Sequence, residues 1–540
     1  MLDYLSLLSP LPLVGLVGFS TLLLNFIFFF IVQTQKATRD HSVIPNALPW
    51  IGRDKNEIFS SVRSNYRGLV NSVQLFKAGY QKYSKLGLIY VVPAWTRGPQ
   101  IIIPPSMTSW IANIPENILS AKECTFDNVQ FKYTVGHPEI LHSDLIGVLI
   151  RRELTRSIGQ FNDEIFEEID FSMQSIFGTD GQWRKVGIYD SFIQTVGSSA
   201  NRIFVGKELG SNMDFIMASV KFAKDVSISS YIIHMFPKAL KPLASWFATI
   251  PNRYHSGIAM KYIRPLVQQR FDDMVRKRDD PNFSFEEPDD FVTWMVREAL
   301  KRNTLIETSA EALAYGIVLL NFAAITTTTI TATNSLLDIH SAHNAEELVE
   351  ALREEASVVL REHNGVWTKQ AISKLYRLDS AIRESARMSG IGGTAMARKV
   401  KVPGGMTLPD GTWVPENVTI GVAMDGIHFD EESYENPLKF DPFRFSRPRE
   451  QYLAGLAGDK PPVNEDFVTT SERWLPFGHG IHGCPGRFFA SNNLKMMLAH
   501  LLLNYEVQPW KVRPPNISID VISVVPMQAT MMVRRRVAKA

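Results

Sequence analysis

Cysteine is scarce in this 540-residue chain: Cys124 and Cys484 are the only two. That excludes a disulfide-framed scaffold, and it excludes a closed four-ligand zinc site at Cys484, because no second Cys/His pair lies near it. Long Gly/Ser runs, charge blocks and internal repeats are also missing beyond about residue 53, so the chain reads as one large, mostly helical domain and not a string of modules. Charge of one sign is lacking too. With 57 Lys and Arg against 55 Asp and Glu the formal charge is +2, which speaks against a dedicated nucleic-acid binder; basic residues cluster only in the terminal RRRVAKA.

One long hydrophobic run is present. Leu11 to Val32 carries no charge and is long enough to cross the roughly 30 Å hydrocarbon layer as a helix. Asp3 precedes it and Lys36 and Arg39 follow, the reverse of the basic start of a cleaved signal peptide. The expected organisation is a membrane anchor at residues 1–34, a proline-containing connector at 35–52 that is stiff and extended over Ile44 to Gly52, and a domain at 53–540 that faces the cytosol by the positive-inside rule.

The stretch FGHGIHGCPG, Phe477 to Gly486, concentrates chemistry. Its glycines fit a dinucleotide-binding turn, but the preceding SERWLP is charged and ends in Pro476, so the required strand is missing. His479, His482 and Cys484 supply too few ligands for structural zinc. A third reading uses every position. Cys484 stands just before an apolar helix whose free N–H groups and dipole favour a thiolate. Glycines at 480, 483 and 486 let backbone approach a flat cofactor and donate hydrogen bonds to the sulfur, and Phe477 shields it from water.

These residues complete F-x-x-G-x-x-x-C-x-G, and the chain therefore resembles the cytochrome P450 family of haem-thiolate monooxygenases. Two further elements carry the resemblance: Glu384-x-x-Arg387, and Phe440-Asp-Pro442-Phe-Arg444-Phe445. The likeness implies a mainly α fold with a smaller β-rich part, preceded by one N-terminal transmembrane helix, and a haem b whose iron takes Cys484 as axial thiolate. It further implies a buried network of Glu384, Arg387 and Arg444, and contacts to the cofactor from Phe477, Gly480, Gly486, His482 and Arg398, the last two toward propionates. The early helix His142 to Phe161 lacks the family's Trp, leaving Arg151, Arg152 or His142 as further propionate partners.

The family's oxygen-activating groove matches Ala323 to Thr328. Thr327 falls on the threonine that helps deliver protons, while Ala324 replaces the usual glycine and Thr326 replaces the usual acid. With no carboxylate there, protons must travel through hydroxyls and water. The family also implies electrons from NADPH through a separate NADPH–cytochrome P450 reductase, with Arg473, Arg487 and Lys495 as docking charges, and a single-pass location in the endoplasmic reticulum membrane. The expected substrate is a lipophilic small molecule, a terpenoid or related polycyclic secondary metabolite, since GYQKYSKLG, FKYTVG and CPGRFFA are similar to fungal members that oxidise such compounds. Phe126, Phe131, Phe322, the loop SGIGGTAMA and VVPMQAT are the expected pocket. Two rival activities are a haem-thiolate isomerase or dehydratase that needs no reductase, and a non-catalytic membrane-tethered haem protein.

Overall fold

The computed structural model describes residues 27–536 except Pro281, Leu305 and Thr308. Most of the apolar run Leu11 to Val32, and with it most of the expected anchor, lies outside the described residues. Among those described, Ala310–His340 is the one helix long and apolar enough to cross a membrane, and 67% of its most apolar stretch is buried inside the protein. It is the central core helix.

Helices form where apolar periodicity meets a capping side chain. Ser309 Oγ accepts from Ala312 N–H at 3.3 Å to start the central helix, and Asn212 Oδ1 accepts from Phe215 N–H at 3.0 Å to start Met213–His234. Glu355 accepts from the N–H groups of Arg377 (2.7 Å) and Leu378 (3.0 Å), capping Tyr376–Met388 from a neighbouring helix. The central helix packs with Ile188–Phe204, Ile250–Asp279, Tyr376–Met388 and Arg487–Asn504 around one large apolar core.

A second, smaller core surrounds a five-stranded sheet. Its strands are β1 (Tyr90–Val92), β2 (Gln100–Ile103), β3 (Leu119–Ser120), β4 (Thr394–Val400) and β5 (Thr419–Ala423), in the order β1-β2-β5-β4-β3. Only β2 and β5 run parallel. The register of β4 against β5 shifts between Ala395 and Arg398, where Met396 takes φ +53°. Such a bulge re-aims the side chains beyond it, and Arg398 is the first charged residue after it.

The segment assigned to the connector is not free of the domain. Residues 27–42 are helical, Gln33 Nε2 donates to Met235 O at 2.6 Å, and His41 stacks on Trp50 at 4.3 Å. Pro49 O accepts from Val91 N–H at 2.9 Å and Ile51 N–H donates to Val91 O at 3.0 Å, which ties the segment to the edge of the sheet. Proline stiffness is used here to hold a bridge beside β1 instead of spanning open solvent.

Candidate active site

Cys484 occupies a loop closed by its own backbone. Its N–H donates to Phe477 O at 2.8 Å, Gly483 N–H donates to Gly480 O at 3.1 Å, and Gly478 N–H donates to Leu475 O at 2.8 Å. Gly480 has φ +76°, and a Cβ there would stand 2.4 Å from Ala112 O, so both conformation and space require glycine. Arg487 staples the loop: Nη1 donates to Cys484 O at 2.7 Å and Nε to Val468 O at 3.1 Å. Burial pushes the Cys484 thiol up, while the Gly486 N–H, the Arg487 charge and the Arg487 N–H pull it back. A bound metal cation would deprotonate it outright. Phe477 packs edge-on against Phe467 (5.0 Å) and Trp474 (5.8 Å), an apolar flank for the sulfur loop.

The two histidines of the loop turn to other partners. His479 Nδ1 meets Thr470 Oγ1 at 3.0 Å; His482 Nε2 meets Ile114 O at 3.0 Å, and its Nδ1 lies 3.4 Å from Glu116 Oε2. They do not gather around Cys484 as a ligand set.

Glu384 accepts from Arg387 Nε and Nη2, each at 2.8 Å, and from Arg444 Nε at 3.1 Å, while Asp441 N–H donates to it at 3.2 Å. The Glu384 and Arg387 side chains are wholly buried and Arg444 is 12% exposed. Three charges out of water are tolerable because they compensate one another. The structure thus brings together the three residues expected to form one network.

The central helix is buried or half-buried everywhere except at Ala323 and Thr327, one turn apart on one face. Two exposed residues in the middle of a core helix mark an internal space against that face. Thr327 Oγ1 donates to Ala323 O at 2.8 Å and Thr331 Oγ1 to Thr327 O at 3.0 Å. Thr326 is half-buried, and Thr328 and Thr329 are buried. Phe322 lies beside this face and starts an edge-to-face chain to Phe131 (6.1 Å) and on to Phe126 (5.6 Å). The expected loop SGIGGTAMA meets the residue just before VVPMQAT, where Ser523 N–H donates to Ile391 O at 2.8 Å.

Arg398 is buried; among the described residues its Nε has no hydrogen-bond partner and its one side-chain hydrogen bond runs from Nη1 to Ala397 O at 3.0 Å. Burial lowers its basicity. A buried guanidinium left short of an anion is costly, and a propionate would satisfy it. With one available thiol, a glycine at close backbone approach and an open helix face, the donor set fits an iron porphyrin.

Several expectations need correction. Lys495 is no docking charge: it is buried, with Nζ 3.0 Å from Asp379 Oδ1. Arg487 is spent on the loop, leaving Arg473 as the exposed member of that trio. Arg152 is committed to Glu298 at 2.9 Å and Glu153 at 2.8 Å, and so is no free propionate partner. Both nitrogens of His482 face protein oxygens. Glu116, which sequence reading missed, holds one of them; the Ser120-x-x-Glu123 capping pattern, in which Ser120 Oγ accepts from Glu123 N–H at 2.8 Å, marks the helix it serves but not the acid itself.

The family model described as Cytochrome P450 matches residues 150–533. Cytochrome P450 monooxygenase gloP of Glarea lozoyensis is 31% identical over 519 residues, covering 93% of this chain and 94% of that protein. Cytochrome P450 monooxygenase 71 of Postia placenta is 33% identical over 464 residues, covering 85% and 88%. Among solved structures, the retinoic acid bound cyanobacterial CYP120A1 aligns with a TM-score of 0.61 at 16% identity, over 86% of this chain and 95% of that one. At that identity the likeness speaks for the fold.

Proposed function

The chain belongs to the cytochrome P450 family and is a monooxygenase of it, and from that premise we propose that it inserts one oxygen atom of O2 into a lipophilic terpenoid or related polycyclic substrate. The electrons come from NADPH through a separate reductase. The protein works at the endoplasmic reticulum membrane, with its N-terminal segment as anchor and its catalytic domain in the cytosol.

Cys484 would hold a haem b, which would supply the redox-active iron for the oxygen chemistry. This chain's residues do the rest. Cys484 donates electron density as thiolate. The backbone at Gly480 and Gly486 permits close approach, Phe477 keeps water from the sulfur, and Arg398 donates to a propionate. Thr327 hands protons inward by releasing its bond to Ala323 O and turning its hydroxyl to water. Thr326 offers a hydroxyl where an acid would be expected, so the relay runs through hydroxyls and solvent. Phe322, Phe131 and Phe126 form an apolar wall that orients the substrate and excludes water.

The observation that carries this reading is the open turn Ala323/Thr327 on an otherwise buried helix, in a domain whose one half-buried thiol stands in a glycine loop. The missing acid at Thr326 favours one rival, a reductase-independent rearrangement of an oxygenated substrate. The test is incubation of the full chain in membranes with reductase, NADPH, labelled O2 and a terpenoid panel. A product bearing one labelled oxygen, absent without NADPH, is expected; an unlabelled isomer formed without NADPH would overturn the reading in favour of the rival.

A further inference from the structure

Glu116 stands at a junction that the chemistry described so far does not use. Its carboxylate accepts from Lys122 N–H at 2.8 Å and Ala121 N–H at 3.2 Å, and from Ser120 Oγ, so it caps Ala121–Asn128, the helix that carries Phe126. The same carboxylate lies 3.4 Å from Nδ1 of His482, two residues before Cys484. The other ring nitrogen of His482 meets Ile114 O at 3.0 Å, and Gly480 abuts Ala112. The segment from Ala112 to Glu116 therefore grips the cysteine loop at three places. The grip at Glu116 is the only one made by a side chain on both sides.

We propose that Glu116 is a positioning residue: acting through His482, it fixes the loop that presents Cys484 and ties that loop to the Phe126 helix. The substrate wall and the sulfur-bearing loop are then held in register by one carboxylate. The inference rests on the haem-thiolate reading above.

Glu116 is 40% exposed and His482 16% exposed, so solvent screens the contact and its effect is modest. The sulfur ligand is lost from reduced, carbon-monoxide-bound cytochrome when its loop slackens, and the rate of that spectral conversion reads the grip without reference to turnover. In the haem-loaded full chain, Glu116→Gln and His482→Gln each should speed the conversion by about two- to fivefold. The double variant should be no faster than the faster single one, because both remove one contact. Ser120→Ala removes the cap that accepts from Glu123 N–H and one donor to Glu116 but keeps the Glu116–His482 contact; it controls for loss of the helix start and should convert more slowly than Glu116→Gln. Two results would overturn the proposal: Glu116→Gln matching Ser120→Ala, or single effects that multiply in the double variant. If wild type shows no sulfur-ligated spectrum, the haem-thiolate reading fails instead, a separate outcome visible before any variant is compared.

Discussion

Replacing Glu384 by Gln keeps the shape of the side chain but turns one of its two oxygens into a donor facing donors. Arg387 would lose one of its two 2.8 Å contacts and Arg444 would lose its charge partner. Breaking a buried pair by neutralising one partner costs about 3–5 kcal/mol. The low end applies here, because the stranded groups keep other acceptors: Arg387 Nη1 still donates to His428 O, and its guanidinium lies 5.0 Å from the Tyr434 ring, while Arg444 Nη1 still donates to Glu435 O at 2.6 Å. At roughly 2.1 cal/mol/K of unfolding entropy per residue over the whole chain, a loss of about 3 kcal/mol lowers the midpoint by about 3 °C. Thermal scans at one fixed rate, followed by circular dichroism, would read it. Adding Arg387→Met to Glu384→Gln should recover part of the loss by removing a stranded charge. A Glu384→Gln midpoint equal to wild type, or a double variant less stable than the single, would refute the reasoning.

Three other outcomes follow from the same structure. Arg398→Met should speed haem transfer to an acceptor protein by about tenfold, the loss of one charged hydrogen bond; an unchanged rate would remove Arg398 from the propionate site. Lys495→Met should cost about 3 kcal/mol of stability by stranding Asp379, which also accepts from Phe467 N–H at 2.6 Å, and should leave reductase affinity as it was; weaker reductase binding at unchanged stability would restore the docking role. Burial pushes Glu355 up to about 7, above its unfolded value, so the folded state binds the proton more tightly. Its penalty is therefore absent below about pH 4.5, grows as pH rises to 7 and is complete above. The stability of wild type minus Glu355→Gln should fall by about 2–3 kcal/mol between pH 5 and 8, and a difference that stays flat or rises would contradict the assignment.

Much of the site is legible in sequence because its requirements are local. Gly480 is needed for a positive φ beside Ala112 O, Cys484 for its place before a helix, and Glu384 and Arg387 for sharing one face at i, i+3. Arg444 is readable only through its motif, since nothing near it in sequence points to a partner in another helix. Lys495 misleads for the converse reason. A lysine near the cysteine looks like surface charge, and only the fold brings Asp379 to it across the Tyr376–Met388 helix. The sheet order β1-β2-β5-β4-β3 is equally hidden, because β4 and β5 come from the far end of the chain and pair with strands from its beginning. Glu116 was invisible because its role depends on two loops meeting. The docking of the connector is equally hidden, because proline stiffness says nothing about whether the stiff segment docks.

The account turns on sulfur ligation at Cys484, and the absorption of the purified, haem-loaded full chain after reduction and exposure to carbon monoxide tests it most directly. The expected result is the spectrum of a thiolate-ligated porphyrin in wild type and its loss in Cys484→Ala. A folded, porphyrin-loaded wild type without that spectrum, or a Cys484→Ala variant that retains it, would contradict the account.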